Sequence, residues 1–232
     1  MMIQEETRYY PAAASLGTAA RAEFIQKTYV HLFAAILGFM GIEVVLFQTG
    51  LAYPIAQAML SVSWLLVLGG FVLAGWVFNG MAARAETLGK QYVALVGYVV
   101  VEALIFVPIL VMAQLAAPGA IGSAAVATLF GFSGLTAVVL MTKKDFSFLG
   151  SFLRFAGILA LVLIACGVIF GFQLGTFFSV AMIGLAGAAI LYDTSNVLHH
   201  YPEDRYVSAA LSLFASVALM FWYVLRLFMS RD

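Results

Sequence analysis

Seven times along this chain a run of about twenty apolar residues recurs, broken only by short polar connections. A helix rises about 1.5 Å per residue, so each run is long enough to cross a hydrocarbon core of roughly 30 Å. The runs fall at about 24–47, 60–81, 92–115, 121–141, 149–170, 176–198 and 207–229. Of 232 residues, 64% are hydrophobic and only 9% charged, where a soluble domain carries roughly 25% charged. ILALVLIACGVI at 158–169 is apolar on every face and does not alternate, which argues against an outer-membrane barrel. The expectation is an all-α, polytopic integral membrane protein with seven transmembrane helices. A polar tail over residues 1–23 precedes one transmembrane domain over 24–232. Pro108, inside the third run, frees the carbonyl of Leu104 and predicts a kink there.

The basic residues set the orientation. Arg8, Arg21 and Lys27 precede or open the first span; Arg84 and Lys90 lie between spans 2 and 3; Lys143, Lys144 and Arg154 between or beside spans 4 and 5; Arg205 between spans 6 and 7. The three alternate loops carry none. The positive-inside rule then places the N-terminus in the cytoplasm and, after seven crossings, the C-terminus outside with Arg226 and Arg231; those two fit the rule poorly, and a re-entrant element with a cytoplasmic C-terminus is the alternative. The tail has no apolar stretch of signal-peptide type, so the first span is expected to do the targeting. Net charge is zero, which gives no electrostatic reason for a nucleic-acid partner; the partner that composition demands is the lipid bilayer.

Three carboxylates fall inside the spans: Glu43, Glu102 and Asp193. An ionisable group at membrane depth is costly and marks a functional site by default. Counted from Lys27, Lys90 and His199, they stand roughly 24, 18 and 9 Å above the cytoplasmic edge. They are expected either to form a ladder for a cation or protons, or to tie helices together by separate hydrogen bonds. On depth alone, Arg84 is the expected basic partner of Asp193. Asn196 is three residues on from Asp193 and shares its helical face. In span 7, Ser208, Ser212 and Ser216 repeat every fourth residue, a hydroxyl stripe suited to facing Asp193 or to close helix packing.

The remaining polar motifs read more plainly. His199, His200, Glu203 and Asp204 lie in a wet loop, and adjacent histidines cannot share one helical face, so no metal site is expected. His31, Tyr92, Trp222 and Tyr223 read as interfacial residues, and Cys166 as a small apolar one. No GxSxG, HExxH or Walker pattern is present; no enzyme activity and no cofactor are expected.

MTKKDFSFLGSFL between spans 4 and 5, AGAAILYDTSNVLHHYPEDRYVSAALSLF across spans 6 and 7, and FIQKTYVHL entering span 1 together resemble the Bax inhibitor-1 family, bacterial branch. The resemblance covers nearly all of the chain past residue 24. It implies six helices around a central one, a bacterial inner-membrane location and a proton-sensitive calcium leak. In that family the acid of the YDT motif, here Asp193, shares a proton with a second acid in span 7. Ser216 stands at that second position here, so the resemblance implies a sensor lacking its second acid, for which Glu102 is a substitute on depth alone. Two functions follow: a calcium or proton leak centred on Asp193, or a non-conducting regulator that binds other membrane proteins, such as a protease.

Overall fold

A computed structural model describes residues 17–85 and 87–230. Eight helices follow in order: α1 (Thr18–Gln48), α2 (Ala52–Ser61), α3 (Trp64–Ala83), α4 (Leu88–Ala116), α5 (Ala120–Thr142), α6 (Leu149–Phe170), α7 (Gly175–His199) and α8 (Tyr206–Met229). Seven of them are long and apolar enough to cross a membrane, and no β-strand occurs among the described residues. The protein is an all-helical integral membrane protein. Arg8, Glu86 and Arg231 lie outside the described residues.

Two helix boundaries differ from the sequence reading. Helix α1 starts at Thr18, so residues 18–23 of the expected tail belong to its first turns. Ala19, Ala20 and Ala22 are strong helix formers, and Glu23 pairs with Lys27 one turn on at 2.7 Å. The Pro-containing connection before the second span is itself the short helix α2. Pro54 sits in its first turn, where the missing N–H breaks no helical bond. Ala52 and Ala56 pack under Leu46 and Phe47 onto Val107 and Val111 of α4. At ten residues α2 is too short to span, and it pushes the start of the second span from 60 to Trp64.

Helix α8 is the centre. Thirteen of its 24 residues are buried, and α1, α3, α4, α5 and α7 all pack against it. Small side chains permit this: Ala209 and Ala210 are fully enclosed, and Ser208, Ser216 and Ala218 nearly so. The implied ring of six is incomplete, because α6 rests on α7 and α3 instead of reaching the α8 backbone. Helix α4 is the second inner helix, with fifteen buried residues, and continues unbroken through Pro108.

Two of the basic residues expected on one side, Arg21 and Arg205, close helix termini at one end of the bundle. Arg21 Nη2 donates to the carbonyl of Leu198 at 2.7 Å, near the end of α7. Arg205 Nη1 donates to the carbonyls of Ala82 and Ala83 at 3.2 and 3.4 Å, at the end of α3. Both place a cation where unsatisfied carbonyls and the helix dipole are negative. Trp222 and Tyr223, read as interfacial, turn inward: Trp222 meets Phe106 edge-on at 5.0 Å, and Tyr223 is buried against Phe178.

Candidate functional site

The hydroxyl stripe of α8 faces the acid of α7. Ser216 Oγ donates to Asp193 Oδ2 at 2.5 Å, a short hydrogen bond between the two helices. One turn nearer the basic end, Ser212 Oγ and the Tyr201 hydroxyl lie 2.9 Å apart. Burial pushes the Tyr201 phenol up to about 12, so it keeps its proton throughout the physiological range. One turn further still, Ser208 Oγ donates to the carbonyl of Ala82 and the side-chain oxygen of Gln91, at 3.0 and 3.1 Å. The stripe is therefore a continuous polar seam along α8, with Asp193 at its inner end.

A cavity of about 570 Å³ opens onto this seam from the basic end of the bundle. Asn79, Asn196, Tyr201, Arg205, Ser208 and Ser212 are among its walls. Asn196 is thus brought to the seam with Ser212. Sequence reasoning missed Gln91, whose amide donates to the Asp204 carbonyl at 2.9 Å and accepts from the Ser208 N–H at 3.2 Å. It is 2% exposed; the signal was an uncharged amide in the first turn of an apolar span.

The other predicted residues stand elsewhere. Arg84 is the exposed C-cap of α3 and forms no ion pair with Asp193; Ser216 is the partner instead. Depth counting could not foresee this, because α3 ends before Arg84 and its side chain points to water. Glu102 is 3% exposed, with the Tyr98 phenol beside it one turn earlier. Tyr98 meets Phe214 of α8 at 6.2 Å, whereas Ser216 meets Asp193. Side chains two positions apart on a helix point about 200° apart. The Asp193 contact and the Tyr98 face of α4 therefore lie on different sides of α8. Glu43 is 7% exposed, and neither of its carboxylate oxygens has a hydrogen-bond partner.

Beyond Glu102, aromatic rings fill the bundle. Phe106 stacks on Phe221 at 5.6 Å and meets Phe39 edge-on at 5.1 Å. These rings pack the bundle between Glu102 and the far end of α4.

The loop between α5 and α6 is fastened to the end of α7. Asp145 Oδ1 accepts the Ser147 N–H at 2.8 Å and the Ser195 hydroxyl at 3.2 Å. Its Oδ2 meets His200 Nε2 at 3.0 Å. Ser195 Oγ in turn accepts the Phe146 N–H at 2.8 Å. The first of these contacts, with the rest, holds the Asp145 carboxyl at about 2. His200 thus serves a loop clasp, while His199 Nε2 has no hydrogen-bond partner, and no cluster of three metal-ligating side chains occurs among the described residues.

A central serine-bearing helix, hydrogen-bonded through Ser216 to a half-buried acid of α7, organises this polytopic membrane protein. The chain belongs to the family described as inhibitor of apoptosis-promoting Bax1, whose model matches residues 21–232. It is similar to the Pseudomonas aeruginosa protein PA2604, 38% identical over 47% of this chain and 49% of that one. It is also similar to the Escherichia coli modulator of FtsH protease YccA, 38% identical over 42% and 45% of the two chains. The mouse protein lifeguard 4 is 34% identical over 41% and 40%. The matched region spans about half or less of each of these relatives.

Proposed function

We propose that the protein is a cation-leak channel of the bacterial inner membrane, passing calcium or protons along the Asp193 seam, with its N-terminus and the Lys143–Lys144 loop in the cytoplasm. The observation that carries this reading is the contact of Ser216 with Asp193 at 2.5 Å above a polar cavity of about 570 Å³. The cavity admits water and ions to the foot of the seam, and Ser208, Ser212 and Ser216 supply oxygen ligands one turn apart. Asp193 supplies the charge that draws a cation from water. Met220, one turn beyond Ser216 on the same face and lying against Gly131 of α5 and Gly187 of α7, is the constriction, and an apolar constriction of this kind gates by excluding water. Glu102 and Glu43 stand outside the file in this reading.

The test is calcium and proton flux into liposomes holding the purified protein. Asp193→Asn keeps the side-chain shape, loses the charge and should lower flux by at least tenfold, since the site then lacks its only anion. Glu102→Gln should leave flux unchanged. A Glu102→Gln loss equal to that of Asp193→Asn would move the path to the other side of α8.

A second reading rests on one comparison, the similarity to the modulator of FtsH protease. In it the chain conducts nothing and acts by binding a membrane-embedded partner such as a protease. Flux no greater than in empty liposomes at every pH, for wild type and variants alike, would select this reading.

A further inference from the structure

At the end of the bundle opposite the Lys143–Lys144 loop, a second cavity of about 480 Å³ opens between α6, the 171–174 turn, α7 and α8. Its polar walls are Gln173, Thr176, Ser179, Arg226 and Ser230. Arg226 projects into it from the last turn of α8, beside Ser230. Across from Arg226 is the N-terminus of α7, where Gly175 and Thr176 line the cavity. The N-cap there is Leu174, whose side chain accepts none of the first-turn N–H groups, so no side-chain cap meets the positive end of the α7 dipole. Thr176 and Ser230 hydroxyls lie 3.5 Å apart across the gap. No described carboxylate lines the cavity, and none pairs with Arg226. A cation and a helix N-terminus converging on one space make an anion site.

The remaining wall names the anion's carrier. Ile164, Val168 and Phe172 run from the polar end down the α6 side, and the outer faces of Val168, Ile169 and Phe177 are exposed where lipid lies. A small soluble anion makes no use of that wall; an acyl chain does.

We propose that this cavity binds the phosphate of an anionic phospholipid from the leaflet opposite the Lys143–Lys144 loop, with Arg226 and the α7 N-terminus on the phosphate and an acyl chain along Ile164 and Val168. The site is independent of the Asp193 seam and stands whether or not the protein conducts. Because Arg226 and the α7 N-terminus both bring positive charge to it, it discriminates by net headgroup charge, favouring phosphatidylglycerol over zwitterionic phosphatidylcholine.

The test is native mass spectrometry of the full chain, delipidated in mild detergent and titrated with phosphatidylglycerol, phosphatidylcholine or inorganic phosphate. Wild type should retain one phosphatidylglycerol in preference to phosphatidylcholine, and excess inorganic phosphate should not displace it. Arg226→Gln should weaken retention by about tenfold, the worth of one charge-assisted hydrogen bond, with Arg226→Lys between the two. Val168→Trp, which fills the mouth without altering charge, should weaken it comparably. Retention that falls in Arg226→Gln but not in Val168→Trp would reduce Arg226 to general attraction at the interface and overturn the site. Displacement by inorganic phosphate would overturn the lipid as its source. Equal retention of the two lipids, or by wild type and Arg226→Gln, would overturn the proposal outright.

Discussion

Asp145 and Glu43 show how differently two carboxylates are used in one chain. Asp145 is exposed, and its ionised form makes every contact of the clasp: it accepts from Ser147 and Ser195 and meets His200. Its carboxyl is held at about 2, below the ordinary 3.8. A carboxyl lowered on folding contributes stability fully above its unfolded value and loses it as pH falls through the folded one. The clasp is therefore intact at neutral pH and released only in strong acid, while the ion-pair part of the His200 contact exists only when that ring is protonated. Asp145→Ala should speed amide exchange at Phe146 and Ser147 by roughly tenfold at neutral pH, the gap to wild type shrinking as pH falls toward 2. Identical exchange in the two proteins would remove the clasp. Glu43 makes no such contacts; both oxygens are buried without a partner. Replacing such a group by an apolar one of similar size removes a desolvation cost of about 1–3 kcal/mol. Glu43→Leu should thus raise the thermal midpoint in detergent and leave flux as it was. A lower midpoint would mean that Glu43 has a partner.

At the scale of the helices, seven of the eight elements were legible from apolar run length, because a bilayer imposes that length on any spanning helix. Helix α2 was not, since Pro54 reads as a break unless its place in a first turn is known. The Asp193–Ser216 contact was legible as far as the fourfold spacing of the serines, which puts them on one face. Which acid that face meets depends on how α7 and α8 are rotated, and spacing within one helix does not contain it. The same ignorance of rotation made Asp193 and Glu102 look like rungs of one ladder, whereas the Asp193 contact and the Tyr98 face of α4 lie on different sides of α8. The account makes α8 intolerant of bulk and α6 tolerant. Ala209→Leu, at a fully enclosed position, should cost about 1–3 kcal/mol by overpacking. Val162→Leu on the lipid side of α6, where the valine is 51% exposed, should be near neutral. Equal thermal shifts would deny α8 its central place.

For the whole molecule, orientation and conduction are linked, because the polar cavity opens at the end where Arg21, Arg205 and the Lys143–Lys144 loop gather. On the proposed orientation, with that end in the cytoplasm, the seam is entered from inside and closed toward the outside by Met220, which lies against Gly131 and Gly187. A cysteine at Lys144 in a Cys166→Ala background should be shielded from an impermeant reagent added to intact cells; labelling as strong as at a cysteine in the 117–119 turn would reverse the orientation. The central claim is that Asp193 and the group facing it control passage. Two facing carboxylates share a proton and so sense pH, whereas a serine donates to the ionised acid and leaves nothing to share. The most direct measurement is cation flux in liposomes across a pH series for wild type, Ser216→Asp, and Ser216→Asp combined with Asp193→Asn. The account predicts a weak pH dependence in wild type, a step between about pH 5 and 8 in Ser216→Asp, and loss of that step in the double variant. A steep step already present in wild type and surviving Asp193→Asn would contradict it.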